Sequence, residues 1–244
     1  MTQQRGKLFL LPSPIAEQGL DSIPAEVKRV IHTLSHFVVE RERTARRYIR
    51  AMEHPVPIDQ LVILEMPQDK IGADVIDNQL RPLLSGNSIG ILSEAGLPAI
   101  ADPGNVYVAW AQRHDIDVIP LAGPSSLMMA LMASGLEGQR FAFHGYLSAK
   151  KDELGKQLKE LEQRADRDQA TQIFIETPYR NQQVVEAVMK HVGGERWFCI
   201  AAGIGEEGGF VKTRRVKDWV KHSKSAAAPN WPEIHKVPCV FLMR

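Results

Sequence analysis

The chain has 244 residues, of which 44% are hydrophobic and 24% charged, and its formal net charge is +1. These are ordinary globular proportions, which exclude a disordered or fibrous chain, and no run nears the ~20 apolar residues of a membrane-spanning helix. Thirty Lys+Arg against 29 Asp+Glu also argue against a free-standing nucleic-acid binder, whose affinity rests on a basic excess. Only local clusters could bind phosphates: Arg41, Arg43, Arg46 and Arg47, or Lys212, Arg214, Arg215 and Lys217. Each could equally be a solvated helix or hairpin face. Cys199 and Cys239 sit far apart in apolar runs, which fits neither a disulfide framework nor a zinc site and leads us to expect a cytoplasmic protein. The first residues lead straight into a strand-like run, so no signal peptide is expected.

Residues 7–11 (KLFLL) read as the first strand. Val27, Val30, Ile31 and Leu34 then recur at helical spacing, with Ser22 a candidate cap before Pro24. A strand is expected over 36–40, a helix over 44–52 that Pro55-Val56-Pro57 stops, and a strand over 61–64. The helix expected over 74–84 carries Val75, Ile76, Leu80 and Leu83 on one side. Strand, helix and strand follow over 88–92, 106–114 and 117–120, and a Leu/Met/Ala helix over 125–134.

The second half repeats the alternation. A strand over 140–144 precedes a charged helix over 150–164, with Leu154, Leu158 and Leu161 as its buried stripe. A strand over 171–175, a helix over 181–191, a strand over 197–202, a hairpin arm over 208–213 and a final strand over 237–243 complete the series. Residues 223–236 read as a small-residue and proline loop. The alternation predicts an α/β protein with helices over mostly parallel strands. The break at Leu121-Ala122-Gly123 divides it into subdomains at 1–121 and 122–244.

Some motifs carry less than they suggest. Gly203-Ile204-Gly205-Glu206-Glu207-Gly208 matches a dinucleotide fingerprint, but a strand pattern follows where a helix is needed, and two glutamates would repel phosphate. A hairpin turn is expected there. His32 and His36 lack the pattern of a zinc helix, and no metal is expected.

More informative are three Gly/Pro turns at the carboxyl ends of expected strands, where open α/β sheets bind ligands. They are Leu11-Pro12-Ser13-Pro14-Ile15, the long loop from Leu92 to Gly104, and Pro120 to Ser126. Small residues let a ligand approach the main chain, Glu94 and Asp102 can accept hydrogen bonds, and Ser125 and Ser126 could bind ligand or cap the next helix. Beyond the strand over 36–40, Glu40 and Arg43 lie at the same level. With Asp102 they are the candidate acceptor pocket: a hydroxyl nucleophile needs a base, and an arginine can grip a phosphate bidentately. The alternative is that Glu40 and Arg43 pair and cap the following helix.

These loops carry a family resemblance. LPSPIAE (11–17), ERERTARR (40–47), LSEAGLPAIADPG (92–104), VIPLAGPSS (118–126), ASGL (133–136), FAFHGYLSAKK (141–151) and FIETPYR (174–180) are similar to segments of the tetrapyrrole-methylase-like class of S-adenosylmethionine-dependent methyltransferases. Within it the chain most resembles the branch that methylates a ribose 2′-hydroxyl of small-subunit ribosomal RNA. The resemblance implies two α/β subdomains with the cofactor cleft between them, usually in a homodimer, and no metal. It also implies that Pro14, Ile15, Glu94, Ala95, Gly96, Leu97, Pro98, Ser125 and Ser126 line the S-adenosylmethionine site from the first subdomain. Glu176, Ala202 and Pro238 would be the second subdomain's share. The methionine-rich run Leu127 to Met132 could serve the dimer or bury itself within the fold.

The departures fall on substrate-facing segments. Arg41 stands where the branch has aspartate, Met66-Pro67-Gln68-Asp69-Lys70 replaces a His- and Asn-bearing segment, and Ala201 to Gly205 replaces an arginine-and-threonine stretch. The sequence also gives out at its last strand, where many ribosomal members carry a small C-terminal extension. A methyltransferase acting on ribosomal RNA, one acting on a tetrapyrrole, another small molecule or a protein, and a non-catalytic cofactor-binding protein of the same fold are therefore the competing readings.

Overall fold

The computed structural model describes residues 4–67, 72–223 and 233–244. Residues 68–70 of the departing segment and 224–232 of the expected loop lie outside the described residues. The chain divides into two compact units, Met1–Ser125 and Ser126–Arg244.

In the first unit, strands β1 (Leu8–Leu11), β2 (His36–Val39), β3 (Val62–Glu65), β4 (Ile89–Leu92) and β5 (Val118–Pro120) alternate with helices α1 (Ala25–Ile31), α2 (Glu42–Ala51), α3 (Ala73–Leu84) and α4 (Asn105–Arg113). The sheet order is β3-β2-β4-β1-β5, and every pairing is parallel. Side-chain alternation splits the core into two layers. Leu11, Phe37, Val39 and Leu92 meet Val27 and Ile31 of α1 and Tyr48 and Ile49 of α2. Leu8, Val38, Ile89 and Ile91 meet Leu80 and Leu83 of α3 and Tyr107 and Trp110 of α4. The sheet is therefore wound on both faces, first with α1 and α2, then with α3 and α4. Two local expectations fail. Ser22 donates to the Gly19 carbonyl at 2.6 Å inside a 3-10 turn instead of capping α1, which begins behind Pro24 without a side-chain cap. Val75 points to solvent, because α3 turns Ile76, Leu80 and Leu83 to the sheet.

In the second unit, α5 (Ser126–Ser134), β6 (Phe141–Tyr146), α6 (Lys151–Arg167), β7 (Thr171–Glu176), α7 (Asn181–His191), β8 (Trp197–Ala202), β9 (Phe210–Arg215), α8 (Val216–Ser223) and β10 (Cys239–Met243) follow. The sheet order is β6-β7-β10-β8-β9. Only β6 and β7 pair in parallel among these neighbours; the other three pairings are antiparallel. The expectation of mostly parallel strands thus fails here. One of the three antiparallel pairings follows from the Gly203–Gly209 turn, too tight to hold a crossover helix, so β9 reverses direction after β8; the other two belong to β10, which runs against both β7 and β8. The β8–β9 pairing also makes the G-x-G-x-x-G run a hairpin turn, as its surroundings predict. Helix α8 went unread behind its charges, although Val216 and Trp219 bury one of its faces at i, i+3 spacing. One face of the sheet packs Phe174, Phe198 and Phe241 under α6, α7 and α8, and the other packs Ile173, Cys199, Val240 and Leu242 under α5.

Candidate functional site

A parallel sheet brings the carboxyl ends of all its strands to one edge. In the first unit β1 and β4 are neighbours, yet β1 leads to α1 on one face and β4 to α4 on the other. This is a topological switch point, and the diverging connections leave a crevice where α/β sheets bind ligands. The two loops are tied together just beyond the strands. Ser13 N donates to Gly96 O at 2.9 Å and Gly96 N to Ser13 O at 3.0 Å. The buried Ser13 hydroxyl donates to Ser93 O at 2.9 Å, and the Tyr48 hydroxyl to Pro12 O at 2.9 Å. Gly96 has φ +76°, so L side chains are strained there; a Cβ would also stand 3.5 Å from both Ile15 Cγ2 and the Pro124 carbonyl. Gly123 is glycine for contact rather than conformation, since a Cβ would fall 2.1 Å from Pro12 Cβ.

Carboxylates brace the crevice. Glu40 Oε2 accepts from the Glu94 amide at 2.9 Å, while the Glu40 amide donates to Leu92 O at 3.0 Å. The Thr44 hydroxyl, in the first turn of α2, donates to Glu94 Oε1 at 2.9 Å. Glu94 itself is exposed. Asp102 Oδ1 accepts from Gly104 N at 2.7 Å and Ala99 N at 2.9 Å. Burial pushes its carboxyl above the usual range, the Gly104 and Ala99 amides pull it down, and the Glu40 charge adds to the rise. Ala99 and Ala101 have φ of 65° and 61°. Each left-handed alanine costs about 1–2 kcal/mol, a strain held by Asp102 binding both ends of the turn.

The second unit has a corresponding edge, where β6, β7 and β8 end and β9 and β10 begin. Cys239 pairs with Glu176 on one side and Ala202 on the other, so those two and Pro238 gather along one row. Glu176 is buried: Arg180 Nη1 lies 2.9 Å from Oε2, and the Thr177 amide donates to Oε1 at 2.7 Å. Arg180 also donates to Ser148 O at 3.1 Å. Ala202 is buried, and Pro238 is exposed, accepting from Gly203 N at 2.9 Å.

Each sequence-predicted residue therefore has a place. Pro14 and Ile15 follow β1, Glu94, Ala95, Gly96, Leu97 and Pro98 follow β4, Glu40 and Arg43 lie beyond β2 at the start of α2, and Asp102 precedes α4. Ser125 and Ser126 lead from β5 into α5, and Glu176, Ala202 and Pro238 lie on the second sheet's edge. Sequence reasoning missed Thr44 and Arg180. The first had no signal beyond its place in ERERTARR; the second was legible as Glu and Arg four apart in ETPYR. The basic clusters differ. Arg41, Arg43 and Arg47 are exposed on and before the first turns of α2, whereas Arg215 and Lys217 pair with Glu195, and Arg214 lies over Trp219. A hollow of about 690 Å3 lined by Glu137, Trp197, Thr213 and Arg244 opens at the opposite end of the second sheet's strands from Glu176. Among the described residues no three His, Cys, Asp or Glu side chains are grouped to hold a metal ion, and no helix is long and apolar enough to cross a membrane.

No family model matches the chain. Among solved structures, the methyltransferase CobJ superposes with TM-score 0.62 at 16% identity, over 98% of this chain and 93% of its own. The uroporphyrin-III C-methyl transferase from Thermus thermophilus complexed with S-adenyl homocysteine superposes with TM-score 0.55 at 12% identity, over 98% and 97%. The fold is that of the tetrapyrrole-methylase class of methyltransferases. In sequence, the chain is similar to proteins named ribosomal RNA small subunit methyltransferase I. That of Buchnera aphidicola is 27% identical over 223 residues, covering 90% of this chain and 74% of the relative. Those of Mesorhizobium japonicum and Synechocystis sp. are 35% and 30% identical, covering 60% and 80% of this chain and 49% and 66% of the relatives. The chain thus spans from half to three quarters of the length of these relatives. The resemblance carried by the loop motifs holds on both counts, fold and relatives.

Proposed function

We propose that the chain is an S-adenosylmethionine-dependent methyltransferase acting on ribosomal RNA at a ribose 2′-hydroxyl. The observation that carries the reading is the pair of loops locked at the switch point by the Ser13–Gly96 bridge, in a chain similar over most of its length to proteins named for methylation of small-subunit ribosomal RNA. The residues there fit the cofactor chemically. Glu94 offers a carboxylate oxygen to ribose hydroxyls or an amino group, the Pro124 carbonyl faces the space that a Gly96 side chain would fill, and Ser125 and Ser126 supply hydroxyls beside it. Pro14, Ile15, Ala95, Leu97 and Pro98 form apolar walls, and Glu176, Ala202 and Pro238 are the second unit's candidates. When bound, S-adenosylmethionine supplies a methyl group on a sulfonium, open to in-line attack. The protein's work is then to hold the acceptor oxygen in line and keep water away.

Glu40 and Asp102 are the carboxylates placed to take the acceptor's proton. Burial raises Asp102's affinity for a proton above that of an ordinary carboxylate, the direction a general base needs. Exposed Arg43, with Arg41 and Arg47 beside it, suits the phosphates of an RNA acceptor. We also propose a cytoplasmic homodimer. Two free, buried thiols support the compartment, and the exposed Met128, Met129 and Met132 of α5, the last 82% exposed, support the interface.

Thermal unfolding with S-adenosylhomocysteine tests the cofactor, and ligand that leaves the transition where it was refutes the reading. Methyl transfer from labelled cofactor to total bacterial RNA tests the acceptor. The structural neighbours named for uroporphyrin favour a second reading, a tetrapyrrole acceptor; label in uroporphyrinogen and none in RNA would establish it. Sedimentation at micromolar concentration as a single chain would refute the dimer.

A further inference from the structure

At the strand-end edge of the second sheet one aromatic ring stands in water. Tyr179, three residues after Glu176, is 67% exposed. The His235 ring meets it edge-on with centroids 5.9 Å apart, and Lys236 Nζ lies 6.0 Å from its centroid. Both neighbours belong to a loop held from beneath by the fully buried Asn181, whose Nδ2 donates to Ile234 O at 3.2 Å and Val237 O at 2.6 Å. The Lys236 amide donates to Pro178 O at 3.1 Å, and the Arg180 amide closes the turn under Tyr179 on Thr177 O at 2.9 Å. Lys236 has φ +63°, a conformation costing about 1–2 kcal/mol for a residue with a Cβ. Such strain persists where surrounding bonds over-determine it, and it concentrates at ligand clamps. A buried amide and a strained lysine are thus committed to keeping an exposed tyrosine, a cation and an imidazole together.

We infer that Tyr179, Lys236 and His235 form a subsite that grips an unpaired nucleotide of the RNA acceptor, an inference that rests on the RNA-methyltransferase reading above. Tyr179 presents a π-face on which any base stacks, and Lys236 is a compact charge within reach of the adjoining phosphate. Single-stranded RNA is recognised in this way, by bases splayed onto aromatic rings with backbone charges neutralised alongside. A protein partner would need an apolar rim, whereas Thr177, His235 and Lys236 around the ring are exposed and polar. A duplex keeps its bases stacked on one another and has none to offer the ring. The subsite would hold the strand by one unpaired base, with its phosphate on Lys236.

The test is fluorescence anisotropy of the full chain with a labelled, unstructured ribo-oligonucleotide of about ten nucleotides, the probe length matched to known site sizes. Tyr179→Ala is expected to raise Kd by about tenfold or more, in line with the loss of one stacked base. Tyr179→Phe is expected to bind like the parent. Lys236→Ala should weaken binding severalfold and lower the salt slope by about one. Thermal unfolding of the same variants should leave Tm unchanged, separating the subsite from a structural role. If Tyr179→Ala does not fold, retained binding by Tyr179→Phe with the altered salt slope of Lys236→Ala decides. Equal affinity of Tyr179→Ala and parent, a parent that binds no RNA, or a duplex that competes as well as the single strand would overturn the proposal. S-adenosylhomocysteine binding, measured by calorimetry on the same samples, reports the methyltransferase reading separately. Its loss in the parent with stacking intact would remove that reading and leave an RNA-binding subsite.

Discussion

The two units solve the same problem, a set of chemically useful loops at one sheet edge, with different materials. In the first, main chain meets main chain where the loops touch: the Ser13–Gly96 bridge and the Pro12–Gly123 contact work because side chains are small or absent, and the Glu40 and Asp102 carboxylates brace backbone amides around them. In the second, buried polar side chains do the holding: Arg180 neutralises Glu176, and Asn181 clamps the 234–237 loop. Main-chain locks demand glycine and proline and tolerate exposed side chains of many kinds. Side-chain locks commit particular charges to the interior, where losing one partner strands the other.

Breaking the side-chain lock is expected to have the largest effect. Arg180→Ala leaves the Glu176 carboxylate buried without its cation. Loss of one partner of a buried pair costs about 3–5 kcal/mol, and a guanidinium 23% exposed puts this case near the lower end. Urea unfolding should show the loss, and Glu176→Gln in the same background should recover much of it. In the main-chain lock, Gly123→Ala forces its new methyl against Pro12, at about 1–3 kcal/mol, and should also weaken S-adenosylhomocysteine binding in calorimetry. Gly96→Ala meets space but the wrong φ, so about 1 kcal/mol is expected, with cofactor affinity falling more than stability.

Asp102 sharpens the comparison through pH. Its carboxyl lies above the ordinary value of 3.8 because burial penalises the charge, so the fold favours the protonated form. The contribution is full below 3.8 and is lost as pH rises through the raised value. Asp102→Asn removes it, so the variant should gain stability relative to the parent across that window, measured by thermal melts from pH 3 upward. The smallest expected effect is none. Burial holds the Cys199 and Cys239 thiols up at about 11 and about 12, and alkylation at neutral pH should modify neither until the chain is unfolded.

The same contrast explains what could be read in advance. The first unit was legible because its strands are uniform apolar runs and its locks are Gly/Pro turns, which leave marks in sequence. LSEAGLPAIADPG and LAGPSS point to the crevice even before the strands are ordered. The second sheet's antiparallel pairings were hidden, because β10 reads as any apolar strand and nothing local says that it inserts between β7 and β8. Glu176 was picked out as an edge carboxylate, but not its commitment to Arg180, since burial of a charge depends on distant chain. Tyr179 and Lys236, 57 residues apart in sequence, could be joined only in three dimensions.

The position of β10 also sets a timetable for synthesis. All five strands of the first sheet lie between Leu8 and Pro120, so that sheet can close as soon as this stretch has left the ribosome. The second sheet must wait for Cys239–Met243, its central strand, and until then β7 and β8 have no partner between them. At about 5–20 residues per second, the chain between Pro120 and Met243 takes on the order of ten seconds to make. For part of that time Phe174 and Phe198 lack the ring of Phe241 that stacks between them. The nascent second unit thus offers two open strand edges beside a bare aromatic layer, the surface that chaperones bind and that proteases find first.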